Sequence, residues 1–190
     1  MKHMMELVVI TGTARGKRLQ TPQGLHTRPT TDRVKESVFN IIQWDIEGRK
    51  VLDLFGGSGQ LGLEAMSRGA ASCVIVDGDR NAQKAIEANI KNCGFERNCQ
   101  LIKGDSFLFL QRQKKDSYHL IFLDPPYGGE LLNRAIAEIC RIDILSEGGI
   151  MVCESAAADV LEPVKAPYRV VKQYPYGHTV LTIITKGGAE

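Results

Sequence analysis

The sequence lacks an apolar run of 18 residues, so it offers no candidate for a membrane-spanning helix. Its first residues show no apolar h-region, and no secretory signal is expected. Cysteine is sparse and poorly placed for staples or metal. The five cysteines, at 73, 93, 99, 140 and 153, are odd in number and none are in C-x-x-C spacing. That argues against a disulfide framework and a structural zinc site, and a reducing, cytoplasmic compartment is expected. Histidines at 3, 26, 119 and 178 show no ligand spacing either, so no metal is expected. There are no internal repeats or low-complexity tracts. Net charge is also nearly absent, at +2.

What is present is a chain of 190 residues with 43% hydrophobic content, enough for one domain with a small appendage. The charge is unevenly spread. Residues 1–50 hold nine Lys/Arg against five Asp/Glu, whereas the rest hold fifteen against seventeen. A basic front end on a near-neutral body suggests a polyanion contact there.

Residues 6–20 read as a hairpin, with Leu7–Ile10 and Lys17–Gln20 as its arms. Pro22, Gly24 and Pro29 mark a loop. A helix follows from about Thr31, with Val34, Val38, Ile41 and Ile42 at helical spacing and Thr30 or Thr31 as its cap. From residue 50, strands and helices alternate: strands at 51–55, 73–77, 100–102, 119–123 and 149–153, and helices at 60–67, 80–93, 107–114 and 130–141. This alternation predicts an α/β fold, a parallel sheet with helices on both faces. Residues 168–173 and 179–185 flank a Tyr-Pro-Tyr-Gly turn with no helix between them. They predict a closing hairpin, seven strands in all, with the last antiparallel.

Two motifs carry chemistry. The first is Asp53-Leu-Phe-Gly-Gly-Ser-Gly59 between the first strand and a helix, where Gly57-x-Gly59-x-x-Gly62 also matches a dinucleotide fingerprint. Asp53 lies inside an otherwise apolar strand, and a carboxylate there needs a partner. An ammonium-bearing ligand supplies one. NAD has no such group, but S-adenosylmethionine does. Asp77 ends the second strand, in position for ribose hydroxyls, and Asp105 with Ser106 follows the third, within reach of an adenine amino group. The second motif is Asp124-Pro125-Pro126-Tyr127, directly after the fourth strand. Pro-Pro removes two backbone donors and keeps the path extended, leaving carbonyls to accept. With a carboxylate and an aromatic face added, the set suits a planar base bearing an exocyclic amine. Two acceptors on the amine hydrogens would direct the nitrogen lone pair at a methyl carbon, and positioning and electrostatics would supply the rate.

Asp53–Gly59 together with Asp124–Tyr127 resembles the class I amino-methyltransferases. Ile10–Leu19, Arg28–Asn40 and Gly59–Gly69 resemble, more narrowly, the RsmD family of 16S rRNA (guanine-N2)-methyltransferases, and the likeness runs over nearly the whole chain. It implies a Rossmann-like class I methyltransferase sheet with an N-terminal hairpin and helix extension at 1–48 and the methyltransferase domain at 49–190. It implies S-adenosyl-L-methionine as cofactor, held by Asp53, Phe55, Gly57, Gly59, Asp77, Asp105 and Ser106, and catalysis at Asp124, Pro125, Pro126 and Tyr127. RNA would be gripped by Arg15, Lys17, Arg18, Arg28 and Arg33. The expected partner is 16S rRNA in the small ribosomal subunit or an assembly intermediate, met by a monomer. The residues alone leave adenine N6 of DNA or RNA open beside guanine N2. They leave less room for a side-chain amide, an RNA-binding module without catalysis, or an NAD oxidoreductase.

Overall fold

Alternation of apolar and turn-forming segments builds one sheet, and the computed structural model describes residues 7–24, 32–126 and 129–187 of the chain. Among these, the strands are β1 (Lys50–Asp53), β2 (Ser72–Asp77), β3 (Cys99–Lys103), β4 (Tyr118–Leu123), β5 (Leu145–Ala156), β6 (Tyr168–Tyr176) and β7 (Thr179–Lys186). The helices are α1 (Asp32–Ile41), α2 (Gln60–Ser67), α3 (Arg80–Cys93), α4 (Ser106–Leu110) and α5 (Glu130–Ile142). The strand order is β3-β2-β1-β4-β5-β7-β6. β1 to β5 run parallel, and β7 runs antiparallel between β5 and β6. This is the Rossmann-like class I methyltransferase arrangement.

The period of two along each strand divides the core. Val51, Ile75, Leu120, Phe122, Val152 and Ile183 face one cluster with α1, α2, α3 and the N-terminal arms. Leu52, Val76, Ile121, Leu123, Met151 and Ile184 face the other with α4 and α5. The chain builds β1, β2 and β3 outward, then returns to place β4 on the other side of β1. The carboxyl ends of β1 and β4 thus flank the point where the winding reverses, the crevice in which such sheets take ligands.

β5 spans Leu145–Ala156 rather than 149–153, and four further sequence expectations shift. The N-terminal arms do reverse antiparallel, with Val9 N–H donating to the Lys17 carbonyl at 3.0 Å and Leu19 N–H to Leu7 at 2.7 Å. They meet, however, in one isolated bridge, Val8 with Arg18, rather than as two strands. Many of their other backbone groups bond side chains of α1, α2 and α3 instead of a ladder: Val8 with Lys35, Ile10 and Thr11 with Glu64, Ala14 with Ser67, Gln20 with Asn89 and Arg18 with Asn92. Helix α4 stops at Leu110, not near 114. Beyond it Gln111–Lys115 is polar all round and has no apolar stripe to bury. β1 ends at Asp53, so Leu54 and Phe55 already belong to the loop. The closing turn is Gly177-His178, not Tyr174–Gly177, since Tyr176 still pairs with Thr179. β6 is the edge strand, where Pro175 costs no ladder bond, and Gly177 takes the positive φ (61°) that a two-residue hairpin asks of its first central position. The expected caps Thr30 and Thr31 lie outside the described residues.

Candidate active site

The glycine loop hangs from both neighbouring strands. Leu54 N–H donates to the Phe122 carbonyl of β4 at 3.2 Å and Gly56 N–H to the Val76 carbonyl of β2 at 2.9 Å. Gly57 has φ 58°, a left-handed conformation that costs other residues about 1 kcal/mol. A methyl group at Gly57 would find no atom within 4 Å, so this side of the loop is open to a ligand. At Gly62 the opposite holds, since a Cβ would lie 2.8 Å from Cys73 Sγ. The absence of a side chain there lets α2 sit directly on β2. Gly59 caps α2 in the left-handed conformation without a side-chain bond.

Asp53 is the unusual group. It is 1% exposed, and its Oδ2 accepts the Gly62 N–H at 3.0 Å. Its Oδ1 is buried with no hydrogen-bond partner among the described residues. Burial pushes its carboxyl up to about 7, partly offset by the Gly62 bond, with nearby Asp77 adding to the rise. Asp77, half-buried, accepts the Gly57 N–H at 2.8 Å on Oδ2 and the Asp79 N–H at 2.8 Å on Oδ1. Desolvation raises its pKa as well. Asp105 is exposed at the β3 end. Its Oδ1 accepts from Phe107 and Leu108 N–H, both at 2.9 Å, which makes it the N-cap of α4. Ser106 Oγ donates to the Leu54 carbonyl at 2.7 Å and ties α4 to the loop. Phe55 packs half-buried against the α4/α5 cluster.

Phe122 pairs with Asp53, so Asp124 follows two residues beyond, at the same carboxyl edge and next to the glycine loop. Asp124 is half-buried, Pro125 buried and Pro126 exposed. Tyr127 lies outside the described residues. The two motifs therefore meet on adjacent strands. The basic residues do not join them. Arg15, Lys17 and Arg18 are exposed on the N-terminal reversal, whose Thr13 N–H donates to the carbonyl of Ser67, the last residue of α2. That is one helix length, about 12 Å, from the loop where α2 begins. Arg33 is exposed on the first turn of α1, and Arg28 lies outside the described residues.

The family model described as Conserved hypothetical protein 95 matches residues 7–185. Ribosomal RNA small subunit methyltransferase D of Escherichia coli (strain K12) is 32% identical over 168 residues, covering 88% of this chain and 84% of that one. The chain belongs to the RsmD family. The protein YlbH of Bacillus subtilis (strain 168) is 36% identical over 182 residues, 95% of this chain and 99% of its own. The solved structure of yhhF from Escherichia coli superposes with a TM-score of 0.85 at 31% identity, covering 96% of this chain and 98% of that one.

In this RsmD-family chain, buried polar residues that the motifs did not reveal hold the N-terminal part to the site. Glu64 of α2 is fully buried. It accepts the Ile10 and Thr11 N–H groups at 2.8 and 3.0 Å and Arg68 Nε at 2.9 Å, and it pairs with the equally buried Lys35 at 3.5 Å. Lys35 Nζ also donates to the Val8 carbonyl at 2.6 Å. Asn89 of α3, 1% exposed, joins the Gln20 backbone to the Ser58 carbonyl. A faint signal existed in the sequence: Glu64 is the one charged residue of α2.

Proposed function

We propose that the protein transfers a methyl group from S-adenosylmethionine to the exocyclic N2 of a guanine in 16S rRNA of the small ribosomal subunit. One observation carries the reading: an acidic glycine loop and an Asp-Pro-Pro segment stand side by side on β1 and β4, with Asp53 opposite Phe122. Membership of a family whose curated relatives are named ribosomal RNA small subunit methyltransferase D supports the substrate.

The residues present fit the cofactor. A buried, unpartnered carboxylate oxygen on Asp53 suits an ammonium group, and the open side of Gly57 admits a ligand close to the backbone. Asp53, Phe55, Gly57, Gly59, Asp77, Asp105 and Ser106 would hold it. When bound, S-adenosylmethionine supplies a methyl carbon on a sulfonium, a leaving group good enough to need no covalent enzyme intermediate.

The chain's own work is positioning. An aromatic amine is a weak nucleophile because its lone pair is delocalised into the ring. The Asp124 carboxylate and the Pro125 carbonyl accept its two hydrogens, which localises electron density on nitrogen and fixes its direction. Tyr127 stacks on the base, and Pro126 keeps the segment extended. The target base has to leave its stack to enter. Asp124 or water takes the released proton. Residues 1–48 form the RNA-contacting extension, in which Arg15, Lys17, Arg18, Arg28 and Arg33 grip phosphates, and residues 49–190 form the methyltransferase domain. The enzyme works as a cytoplasmic monomer on the small subunit or its assembly intermediate.

The test is incubation with labelled S-adenosylmethionine and small subunits lacking the modification, followed by nucleoside mass spectrometry. N2-methylguanosine in 16S rRNA is the expected product. N6-methyladenosine as sole product refutes the guanine assignment.

A further inference from the structure

We infer that Asn89 is a positioning residue that couples occupancy of the cofactor loop to the grip on RNA. The inference rests on the function proposed above and adds to it a physical link between its two sites.

Every hydrogen-bonding group of the Asn89 amide is used, and its partners belong to two different parts of the molecule. Oδ1 accepts the Gln20 N–H at 2.7 Å, and Nδ2 donates to the Gln20 carbonyl at 2.9 Å. The second Nδ2 hydrogen goes to the carbonyl of Ser58, inside the glycine loop, at 2.8 Å. The amide is 1% exposed, so water does not substitute readily for any of these bonds. A shift of Ser58 has to be followed by Gln20, or a buried bond is broken.

Gln20 belongs to a segment that lies along α3. Asn92 Nδ2 donates to the Arg18 carbonyl at 2.8 Å and Asn81 Nδ2 to the Gln23 carbonyl at 3.0 Å. The three asparagines fall within about 80° of one another around the helix. Asn89 and Asn81 are about 12 Å apart along its axis, close to the roughly 10 Å that three extended residues span from Gln20 to Gln23. Residues 18–23 therefore run from the basic reversal, beside the carboxyl end of α3, to the start of α3 next to Asp77. Asn92 and Asn81 fasten the two ends of this segment, and Asn89 also fastens it to the cofactor loop. The exposed cations Arg15, Lys17 and Arg18 sit a helix length from the reaction edge, and this segment is their backbone connection to it.

Ligand at the loop that sets the position of Ser58 thus sets Gln20 and the cations behind it. Cofactor and RNA then bind with positive coupling, each raising the affinity of the other by the same factor. The experiment measures affinity for unmethylated small subunits with and without saturating S-adenosylhomocysteine, and affinity for S-adenosylhomocysteine with and without subunits. In the unaltered protein each ligand should tighten the other by about fivefold or more. In Asn89→Ala both ligands still bind, the coupling factor falls to about one, and KM for subunits rises while kcat at saturation is held. Gln20→Pro deletes, at an exposed position, the N–H that Asn89 Oδ1 accepts and leaves the Nδ2 bond to the Gln20 carbonyl, so it should bring the coupling factor part-way toward one even if Asn89→Ala folds poorly. Asn92→Ala loosens the segment without touching the loop and should keep the coupling. Independent binding in the unaltered protein, undiminished coupling in Gln20→Pro, or equal loss in Asn92→Ala overturns the inference. Failure of S-adenosylhomocysteine to bind at all overturns the function proposed above, and this inference with it.

Discussion

If Asp53 receives the ammonium group of the cofactor, cofactor affinity must depend on pH in a calculable way. Burial holds the Asp53 carboxyl at about 7 in the empty protein, so it is mostly protonated below that pH. An ammonium partner requires the ionised form. With an apparent pKa of about 7, roughly one molecule in a hundred is ionised at pH 5 and about half at pH 7. Affinity for S-adenosylhomocysteine should therefore rise about fifty-fold between pH 5 and pH 7, a range in which an α-amino group stays protonated. Near pH 5.5 binding should release about one proton, measurable by calorimetry in buffers of different ionisation enthalpy. Asp53→Asn should bind more weakly at pH 7 and lose most of the slope, leaving the smaller contribution of Asp77. The same shift predicts a change in stability. An acid whose pKa is raised by folding destabilises the folded state as pH rises from 3.8 to about 7, by up to roughly 4 kcal/mol. Asp53→Asn should thus raise Tm of the empty protein at pH 7 to 8, by less than that bound, because its new amide hydrogens lack an acceptor. A flat affinity profile, or the same slope in Asp53→Asn, would refute the reasoning.

Three further outcomes are expected. Asp124→Ala should abolish methyl transfer with S-adenosylhomocysteine binding within about threefold of normal, because the proposed mechanism assigns the residue to the accepting nitrogen and not to the donor; single-turnover kinetics with calorimetry checks both halves. Glu64→Ala should cost about 3–5 kcal/mol in denaturant unfolding, because it strands the fully buried Lys35 charge and two backbone N–H groups; a loss under about 1 kcal/mol would show that the pair is not buried in solution. Asp143 is raised by burial but held at about 2 by hydrogen bonds from Tyr168, Lys186 and Lys115. Its contribution is therefore present above 3.8 and lost as pH falls toward 2, so Asp143→Asn should flatten that part of the Tm profile.

Much of this molecule was legible from local pattern. Helices α2 and α3 begin and end where the apolar periodicity and the flanking glycines and acids place them, at 60–67 and 80–93. The glycine loop and the Asp-Pro-Pro segment were recognisable for the same reason: each is a short, contiguous set of residues whose chemistry is carried by its own backbone. The sheet edge they share followed from the alternation of strand and helix, which puts each motif directly after a parallel strand.

What only the tertiary structure decided is where each polar group finds its partner. The sequence marks Asp53 as an acid in an apolar strand, but its environment is set by Gly62, nine residues on, and by its burial at the switch point. The Glu64 carboxylate meets Ile10 across 54 residues, and Asn89 meets Gln20 across 69. Residues this far apart leave no periodicity, because hydrophobic pattern records which face is buried and not which distant backbone group is waiting there. The same gap explains the N-terminal reversal: its composition suggested strands, and many of its backbone groups bond helix side chains that only the folded chain brings near.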